Sequence, residues 1–542
     1  MRIALRAFSG IAPRLDPRRL GETNAQVAYN CDLRNGVLRA LRGTAAVWAL
    51  TKAGTMRTIY RFGQTIGDES LYWFHWADDV DVARGQIAGD TDERTYFTGD
   101  STYGHPRVTK ASIALIGGTD YPMASYRLGV PFPVSAPTLS SVTGTGSGTA
   151  ETRQYVFTYV TGDGEEGAPS LPLAVVAQEG QTVTLNGLLV APAGDYNITS
   201  KRIYRTVSTA LTPTDYQFVA QIADATTTYV DDLLAVELGE VIPSLEWEMP
   251  PTGLKGIVNM PNGMVAGFVG NDVYFCEAYR AFAWPSKYIQ AVDAPVVGLG
   301  TFAETLVVLT KGLPVIMFGS DPNTVVVRKS ELAESCVAKR SIVSMSGGVV
   351  YASPNGLVRI GPNGGQLLTE GIIDKEFWTS LNPDSIEAYH YDGRYIGFYD
   401  NGTPGGFQFD PADGNNPFSM LEATASAGYT DLVRDSLYLN IGGTVRQWDE
   451  GGTPYTYTWR SKVFEAPAPI SFCWGQVFAG AYPVTAKVYA DGNLIHTQVV
   501  ASSTEFRLPS GALYSDWEIE LTGTNKITAV YLAQSADELK AE

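Results

Sequence analysis

The sequence contains few of the residues that build metal sites and disulfide frameworks, with only four cysteines and four histidines among 542 residues. The cysteines are far apart without any CxxC pair, and no two histidines lie within five residues of one another. This spacing excludes motifs such as HExxH and argues against a disulfide framework. We expect no metal, no cofactor and reduced, mostly buried cysteines. The cysteines are Cys31, Cys276, Cys336 and Cys473.

Long apolar runs and common catalytic signatures are missing as well. No run reaches 18 apolar residues, so the sequence predicts no membrane-spanning helix. The opening MRIALRAFSGIAPRLDPRRL has no apolar core and no small-residue cleavage site, so we expect synthesis in a cytosol without a signal peptide. GxSxG and GxxxxGK[ST] do not occur. The glycine-rich stretch 144–148 has no following lysine or helical pattern and is predicted to be a loop.

What the sequence does contain is typical of an all-β protein. Hydrophobic residues make up 44% and aromatic residues 11%, which excludes a largely disordered chain. Short apolar–polar alternations are separated by turn residues, a pattern that indicates strands and hairpins. Helices are predicted only over Thr23–Asn30 and Ile372–Leu381. Asn35-Gly36 predicts a hairpin turn.

A strand–turn–strand unit recurs in the second half of the chain, at intervals of 33 to 45 residues. This spacing is typical of propeller blades, each of which buries its sheet against its neighbours. Residues 136–245 contain six or seven short strands, and QYVFTYVT, GDGEEGAPS and KRIYRT resemble a fibronectin type III domain. The recurring units lie at 270–278, 303–319, 347–361, 392–410 and 434–449.

These patterns predict an all-β chain with a β-propeller, an inserted fibronectin type III-like sandwich and a C-terminal jelly-roll-like β-sandwich. Residues 454–542 are assigned to that last domain because they contain about eight alternating strands. The predicted divisions are a basic docking segment at 1–54, propeller at 55–134, the insertion at 135–248, further propeller at 249–453 and the sandwich at 454–542.

The charge is negative overall but uneven. The formal net charge is −18, whereas residues 1–61 carry eleven lysines and arginines against three acids. Three interpretations of this basic segment remain open: a solvated, ion-paired surface, a docking surface for an acidic partner, and a phosphate site. No aromatic residue interleaves the arginines within 14–19 or within 34–42, which disfavours nucleic-acid stacking. The candidate subunit or adaptor interface comprises Arg14, Arg18, Arg19, Arg34, Arg39 and Arg42.

Acidic residues are the candidates for two other kinds of site, a pair of catalytic carboxylates and a calcium site. A glycosidase needs only two carboxylates, so a propeller glycosidase remains an alternative function. The same residues are also explained as acidic turns that keep the chain soluble. The turns at 161–167 and 410–417 could supply oxygen ligands to Ca²⁺ but do not fit the EF-hand loop, so ordinary turns are expected. His75 is interpreted as a packed strand residue. The candidate carboxylates are Asp78, Asp79 and Asp81, near Trp73 and Trp76, together with Glu165 and Glu166.

Three stretches resemble a known family. They are FSGIAPRLDPRRL with AQVAYNCDLRNGVLRALRG near the start, residues 76–109, and KVFEAPAPISFCWGQVF with YPVTAKVYADG and WEIELTGTNKITAVYLA near the end. They are similar to the tail nozzle, or tail tubular protein B-like component, of short-tailed phages. The resemblance implies a propeller with added β-domains. It also implies a ring of six copies below the adaptor, which continues the DNA channel and contacts fibres or a plug. The insertion at 135–248 departs from that pattern.

The resemblance leads to one preferred function and two alternatives. The preferred function is a structural, non-enzymatic virion protein of the tail, made in the bacterial cytoplasm. Its partners would be further copies of itself as a homohexamer, the adaptor, tail fibre or plug proteins, and genomic DNA that passes through without specific binding. One alternative is a host-glycan-binding adhesin that uses Trp459 or Trp474 as exposed platforms. The other is the glycosidase.

Overall fold

The computed structural model describes residues 2–63, 72–207, 215–412 and 418–540. Strands make up 47% and helices 6%, so the prediction of an all-β protein is confirmed. The chain divides into two compact units. The first unit contains Met1–Ala77, Val307–Val315 and Lys329–Glu542, and the second contains Asp78–Leu306 and Ile316–Arg328. The boundaries between the units therefore fall inside the predicted propeller residues at four places, once within 55–134 and three times within 249–453.

The strands up to residue 231 are β1 Arg2–Leu5, β2 Ala25–Tyr29, β3 Cys31–Asp32, β4 Arg39–Ala40, β5 Ala45–Ala49, β6 Thr58–Arg61, β7 Trp73–Trp76, β8 Asp81–Arg84, β9 Thr95–Thr98, β10 Arg107–Thr109, β11 Tyr126–Arg127, β12 Thr138–Thr143, β13 Ser147–Thr161, β14 Leu173–Glu179, β15 Thr182–Asn186, β16 Ile198–Thr206, β17 Tyr216–Ala223 and β18 Tyr229–Asp231.

The strands of the middle of the chain are β19 Lys255–Asn259, β20 Val265–Val269, β21 Asp272–Phe275, β22 Gln290–Ala291, β23 Val296–Phe302, β24 Thr305–Thr310, β25 Val315–Phe318, β26 Val326–Lys329, β27 Val343–Met345, β28 Gly348–Ser353, β29 Gly356–Gly361, β30 Gly364–Leu367, β31 Glu387–Tyr391, β32 Arg394–Tyr399, β33 Gly405–Phe409, β34 Ser419–Leu421, β35 Ala427–Asp431, β36 Ser436–Ile441 and β37 Thr444–Gln447.

The last strands are β38 Tyr457–Ser461, β39 Phe464–Ile470, β40 Trp474–Ala479, β41 Val484–Ala490, β42 Asn493–Val500, β43 Phe506–Arg507, β44 Tyr514–Gly523 and β45 Ile527–Ala533. The α-helices are α1 Ala111–Ala114, α2 Lys375–Ser380 and α3 Ala536–Lys540. Short 3-10 turns occupy Arg34–Gly36, Ala235–Glu237, Ser286–Tyr288, Pro322–Thr324, Lys339–Ser341 and Pro383–Ser385.

In the first unit, the N-terminal strands complete sheets that are built from the other end of the chain. β1 pairs with β45, β2 pairs with β38, and β5 pairs with β37, all antiparallel. Ile3 and Leu5 alternate with exposed neighbours and enter the same core as Ile527 and Val530. Strands β1, β2 and β5 are thus part of sheets that contain strands from the later part of the chain.

The two helix predictions have opposite outcomes. The predicted helix over Thr23–Asn30 is wrong, because residues 25–29 form β2 and bond to β38 instead of to their own turns. The predicted helix near 372–381 is confirmed as α2. Asp374 caps α2 by accepting a hydrogen bond from the Phe377 amide at 2.8 Å, which satisfies one free donor of the first turn.

The hairpin predicted at Asn35-Gly36 is confirmed. β3 and β4 pair antiparallel around this turn, with Asp32 opposite Arg39. Asn35 and Gly36 have φ angles of 59° and 70°, a left-handed conformation that asparagine and glycine adopt at low cost.

Each of the five recurring units is present as two consecutive strands or, in the first case, as one strand with its flanking turns. Antiparallel four-stranded sheets form in chain order from β19–β22 in the second unit, and from β27–β30 in the first. In the first unit, β31–β34 also pair in chain order, and β35–β37 are completed by β5. Strands such as β28 are buried on both faces, which explains their nearly unbroken apolar sequence.

The remainder of the second unit contains the strands of the predicted insertion. β12, β15 and β18 form one sheet, while β14, β13, β16 and β17 form another. One apolar core receives residues from both sheets, including Tyr155, Val183 and Ile203. A separate sheet, in the order β11-β10-β9-β8, shares a core with residues of β19 and β20.

Candidate interaction surface

The candidate arginines do not form one continuous patch of free positive charge. Arg18 is half-exposed, and its Nη2 lies 2.8 Å from Asp516 Oδ2 while its Nε lies 3.4 Å from Glu465 Oε1. The hydrogen bond from Arg18 to Asp516 raises the pKa of the guanidinium. Both acids lie more than 440 residues later in the sequence, so the acidic part of the chain compensates this cation.

Arg34 and Arg42 lie at a second group of acids. Arg34 donates to both carboxylate oxygens of Asp32 at 2.8 Å, and its Nη1 lies 2.5 Å from Asp392 Oδ2. Arg42 donates its amide to Asp449 Oδ1 at 3.0 Å, and its Nη1 lies 3.5 Å from Glu450 Oε2. These contacts give each guanidinium at least one carboxylate partner.

Arg14, Arg19 and Arg39 are the exposed members of the candidate set without such a partner. In the part of the chain that the structure describes, none of the three side chains forms an ion pair or side-chain hydrogen bond. Arg39 lies on β4, whereas Arg14 and Arg19 flank the turn in which the Arg19 amide donates to Asp16 O at 2.8 Å. These three cations are therefore available to an external acidic group, and the interface assignment stays a prediction.

Other basic residues of the first 61 are used inside the fold. The guanidinium of Arg2 lies 4.4 Å from the Tyr531 ring centre, and Arg6 Nε donates to Tyr531 Oη at 3.1 Å. Arg61 is fully buried with its Nη1 3.3 Å from Asp431 Oδ2. The excess of positive charge in the N-terminal sequence is thus larger than the excess on its surface.

Asp32 provides a pH-dependent contribution to this region. Burial opposes ionisation of Asp32, but the hydrogen bonds and charge of Arg34 outweigh that effect and hold its pKa below the usual value. A lowered pKa stabilises the fold above the ordinary pKa of an aspartate, and this contribution is lost as the pH falls. We expect Asp32→Asn to cost about 1–2 kcal/mol at pH 7 and to reduce the acid sensitivity of unfolding below pH ~4.

Urea titrations of both proteins at pH 7 and pH 3 would measure this effect. Asp384→Asn is a suitable control, because Asp384 is an acid of the same unit outside this cluster. Equal destabilisation by Asp32→Asn at the two pH values would contradict the prediction.

The tryptophans predicted as glycan platforms occupy different environments. Trp459 is completely buried, and its Nε1 donates to Ser9 O at 3.0 Å. The prediction that Trp459 is an exposed platform is therefore wrong, because β2 and the N-terminal residues cover β38. Trp474 is half-buried, and the Arg507 guanidinium lies 5.0 Å from its ring centre.

The candidate catalytic carboxylates are mostly held by neighbouring donors. Asp78 accepts hydrogen bonds from the amide and hydroxyl of Ser101, and Asp81 accepts from the Gly256 amide at 2.9 Å. Glu166 is buried and accepts from Thr158, Tyr204 and Arg202 at 2.7–2.9 Å. Trp73 and Trp76 are buried as well. Glu166 is thus held by three donors from its own β12–β18 segment.

The remaining candidate ligands also have local explanations. Cys31, Cys276 and Cys336 are free and buried, as predicted, and Cys473 is free and half-buried. Histidine His75 is buried, and its Nε2 accepts from the Lys52 amide at 3.2 Å. Within the described ranges no cluster of three or more metal-ligating side chains is found. The predicted turn at 410–417 lies mostly outside the described residues, from position 413 onward.

The helices of the described residues are all too short or too polar to span a membrane. The acids that pair with the candidate arginines were not predicted from the sequence. Asp392, Asp449 and Asp516 carry no local signal that would connect them with residues 18–42, since strands far apart in the sequence pair to bring these regions into the same sheets.

Comparisons with known proteins give weak matches only. No family model matches the chain, and no curated protein does. The chain is similar to PorZ, a surface component of the type-IX secretion system of Porphyromonas gingivalis, at 11% identity and a TM-score of 0.25, covering 84% of this chain and 82% of PorZ. It is similar to the extracellular domain of a hybrid two-component system from B. thetaiotaomicron at 8% identity and a TM-score of 0.23, covering 81% of this chain and 43% of that one.

The chain is also similar to the computationally designed Ika8 protein, at 10% identity and a TM-score of 0.20. This match covers 74% of this chain and 99% of the designed protein. The chain spans less than half the length of the two-component-system structure that it matches. At such low TM-scores these neighbours carry no argument about function.

Proposed function

We propose that the protein is a structural component of a virion, a tail nozzle whose subunits form a ring below the adaptor and extend the DNA-ejection channel. In this proposal tail fibres or a plug dock on the ring, and the genome passes through without specific binding. The net charge of −18 supports such a conduit, because carboxylates near the channel would repel phosphates within a screening length of about 10 Å.

The observation that carries the proposal is the pairing of the two ends of the chain. The stretches that resemble the nozzle family near the start contribute β2, β3 and β4, while those near the end contribute β39–β41, β44 and β45. β2 and β44 both pair with β38, and Leu38 bonds to Ile527 in an isolated bridge. The resembling stretches near the two ends of the chain thus belong to one packed core, whereas the third, residues 76–109, lies almost entirely in the second unit.

We also propose that the successive sheets within each unit are propeller blades, and that the strands of the predicted insertion form a sandwich of their own. The first strands of successive sheets lie side by side, since β35 contacts β6 and β31, and β31 contacts β27. In the second unit β19 contacts β8 and β23 in the same way. The completion of the β35–β37 sheet by the N-terminal β5 further supports this arrangement, because it links distant parts of the chain in one sheet.

Electron microscopy of the particles that contain the protein tests the nozzle proposal. We expect gold-labelled antibody at the distal tail and class averages with sixfold symmetry. Label on fibres or over the capsid would instead favour a glycan-binding adhesin. Absence from particles, with free protein in the lysate, would overturn the structural role.

The free arginines provide a sharper test of the docking surface. We expect the triple variant Arg14→Glu, Arg19→Glu and Arg39→Glu to lose incorporation into particles about tenfold or more, because like charges across an interface oppose docking. Arg57→Glu is the matched control, since Arg57 is also exposed and its side chain has no ion-pair partner among the described residues.

Incorporation is measured by complementing a deletion phage and quantifying the protein in purified particles. The variant must first show wild-type thermal unfolding, so that a folding defect is not mistaken for a docking defect. Normal incorporation of a folded triple variant would remove these arginines from the interface.

A further inference from the structure

Within the second unit, the residues around β8–β11 and the β12–β18 segment meet at a surface with a one-sided charge pattern. Lys110 Nζ lies 2.5 Å from Asp163 Oδ1, and Arg107 Nη1 lies 3.4 Å from Asp195 Oδ2. Every cation of these pairs comes from residues 78–127, and every carboxylate comes from the β12–β18 segment. We call this set of contacts the charge seam. Its third pair joins Arg94 Nη1 to Glu165 Oε1 at 3.5 Å.

Backbone contacts accompany the charges across the same surface. The Arg127 amide donates to Asp195 O at 2.7 Å, and Arg127 Nη1 donates to Tyr196 Oη at 3.0 Å. The Arg127 amide is therefore protected from exchange only while the β12–β18 segment rests against β11. Its exchange rate reports opening of the charge seam directly.

Glu165 is the weakly compensated member of the seam. Glu165 is only 9% exposed. Its partner Arg94 lies closer to a second acid, because Arg94 Nε is 3.0 Å from Asp90 Oδ2. Asp90 also accepts from the Arg94 amide at 3.1 Å. In contrast, Asp163 in the same turn has Lys110 at 2.5 Å and the Asn197 amide at 3.2 Å. Among the three carboxylates of the charge seam, only Glu165 is deeply buried and also pairs with a cation that a second acid binds.

The groups that face Glu165 come from three places. The β8–β9 hairpin contributes Asp90, Arg94 and Tyr96, the segment before α1 contributes Lys110, and its own turn contributes Asp163. Burial raises the pKa of Glu165 to about 7, Asp163 adds to the increase, and Arg94 and Lys110 oppose it. The neighbouring cations thus leave part of the cost of a buried negative charge uncompensated.

We propose that the charge seam is a pH-dependent latch, which holds the β12–β18 segment against the β8–β11 sheet while Glu165 is protonated and loosens when Glu165 ionises. The direction follows from linkage. A carboxyl with a raised pKa in the closed state binds its proton more tightly there than in the open state. Its contribution to closure is complete below its ordinary pKa and is lost as the pH rises through about 7.

Hydrogen exchange of the full-length protein tests the latch at pH 5.5 and pH 8.5, after correction for intrinsic exchange. The variant Glu165→Gln keeps the shape of the side chain but cannot ionise. We expect the Arg127 amide to be more protected in this variant than in the wild type at pH 8.5. The ratio of variant to wild-type protection should increase by about tenfold or more from pH 5.5 to pH 8.5, as a shift above one pKa unit requires.

Two controls separate the latch from other titrations. Arg107 Nη1 donates to His105 Nε2 at 3.3 Å, and burial lowers the pKa of His105. His105 is present in both proteins, so its titration cancels in the ratio. Asp163→Asn removes a well-paired carboxylate from the same turn, so it should lower protection at both pH values. A ratio that stays constant between the two pH values, or lower protection in Glu165→Gln at pH 8.5, would overturn the proposal.

Discussion

Trp459→Ala is expected to destabilise the first unit by about 3–5 kcal/mol, because it removes a large buried side chain at the junction of the two chain ends. Trp459 is fully buried, and its ring packs edge-on against Phe8 with centres 5.0 Å apart. The same ring donates its indole N–H to Ser9 O. The substitution therefore leaves a cavity and a buried carbonyl without its donor, and it loosens the N-terminal strands from β38.

Urea unfolding gives the free-energy change, and hydrogen exchange of β2 and β38 shows whether the loss is at this junction. Trp459→Phe should cost only about 1–3 kcal/mol, since a large ring is kept and the N–H is lost. Trp474→Ala is the matched control, because Trp474 is a half-buried tryptophan of the same unit. A Trp459→Ala protein with unfolding indistinguishable from Trp474→Ala would refute this role.

Asp431→Ala is the second change with a large expected effect, again about 3–5 kcal/mol. Asp431 and Arg61 have side-chain exposures of 3% and 0%, so the aspartate neutralises a cation that water does not reach. Asp431 also accepts from the Val433 amide at 3.0 Å and from Arg434 Nη1 at 3.2 Å. Removal of one partner of a buried pair leaves the other charge without this compensation, which costs more than the pair itself contributes.

Calorimetry and urea unfolding measure the loss. Asp435→Asn is the matched control, because Asp435 is exposed in the same hairpin and its φ of 50° suits asparagine. The double variant Arg61→Met with Asp431→Leu should recover part of the lost stability, since it removes the buried charge of Arg61, although the Val433 amide and Arg434 still lose Asp431 as an acceptor. If Asp431→Ala and Asp435→Asn have equal stability, the buried pair is not a determinant of folding.

Several elements were predictable because their signals are local. Asn35-Gly36 determines its turn through two residues that tolerate positive φ, and Asp374 marks the start of α2 by its capping oxygen. The five strand–turn–strand units follow from alternation and glycine turns, which depend on neighbouring residues alone. The helix predicted at Thr23–Asn30 was wrong because tertiary pairing with β38 outweighed a weak local preference.

The sequence by itself determined an all-β chain, the positions of most hairpins, the free cysteines and the uneven charge, since composition and nearest neighbours set these properties. Only the tertiary structure decided which charges remain free. Arg18 and Arg34 find Asp516 and Asp392 through strand pairing across hundreds of residues, while Arg14, Arg19 and Arg39 do not. The same long-range packing buried Trp459 and Glu165, because solvent exposure is a property of the folded neighbours and not of the residue.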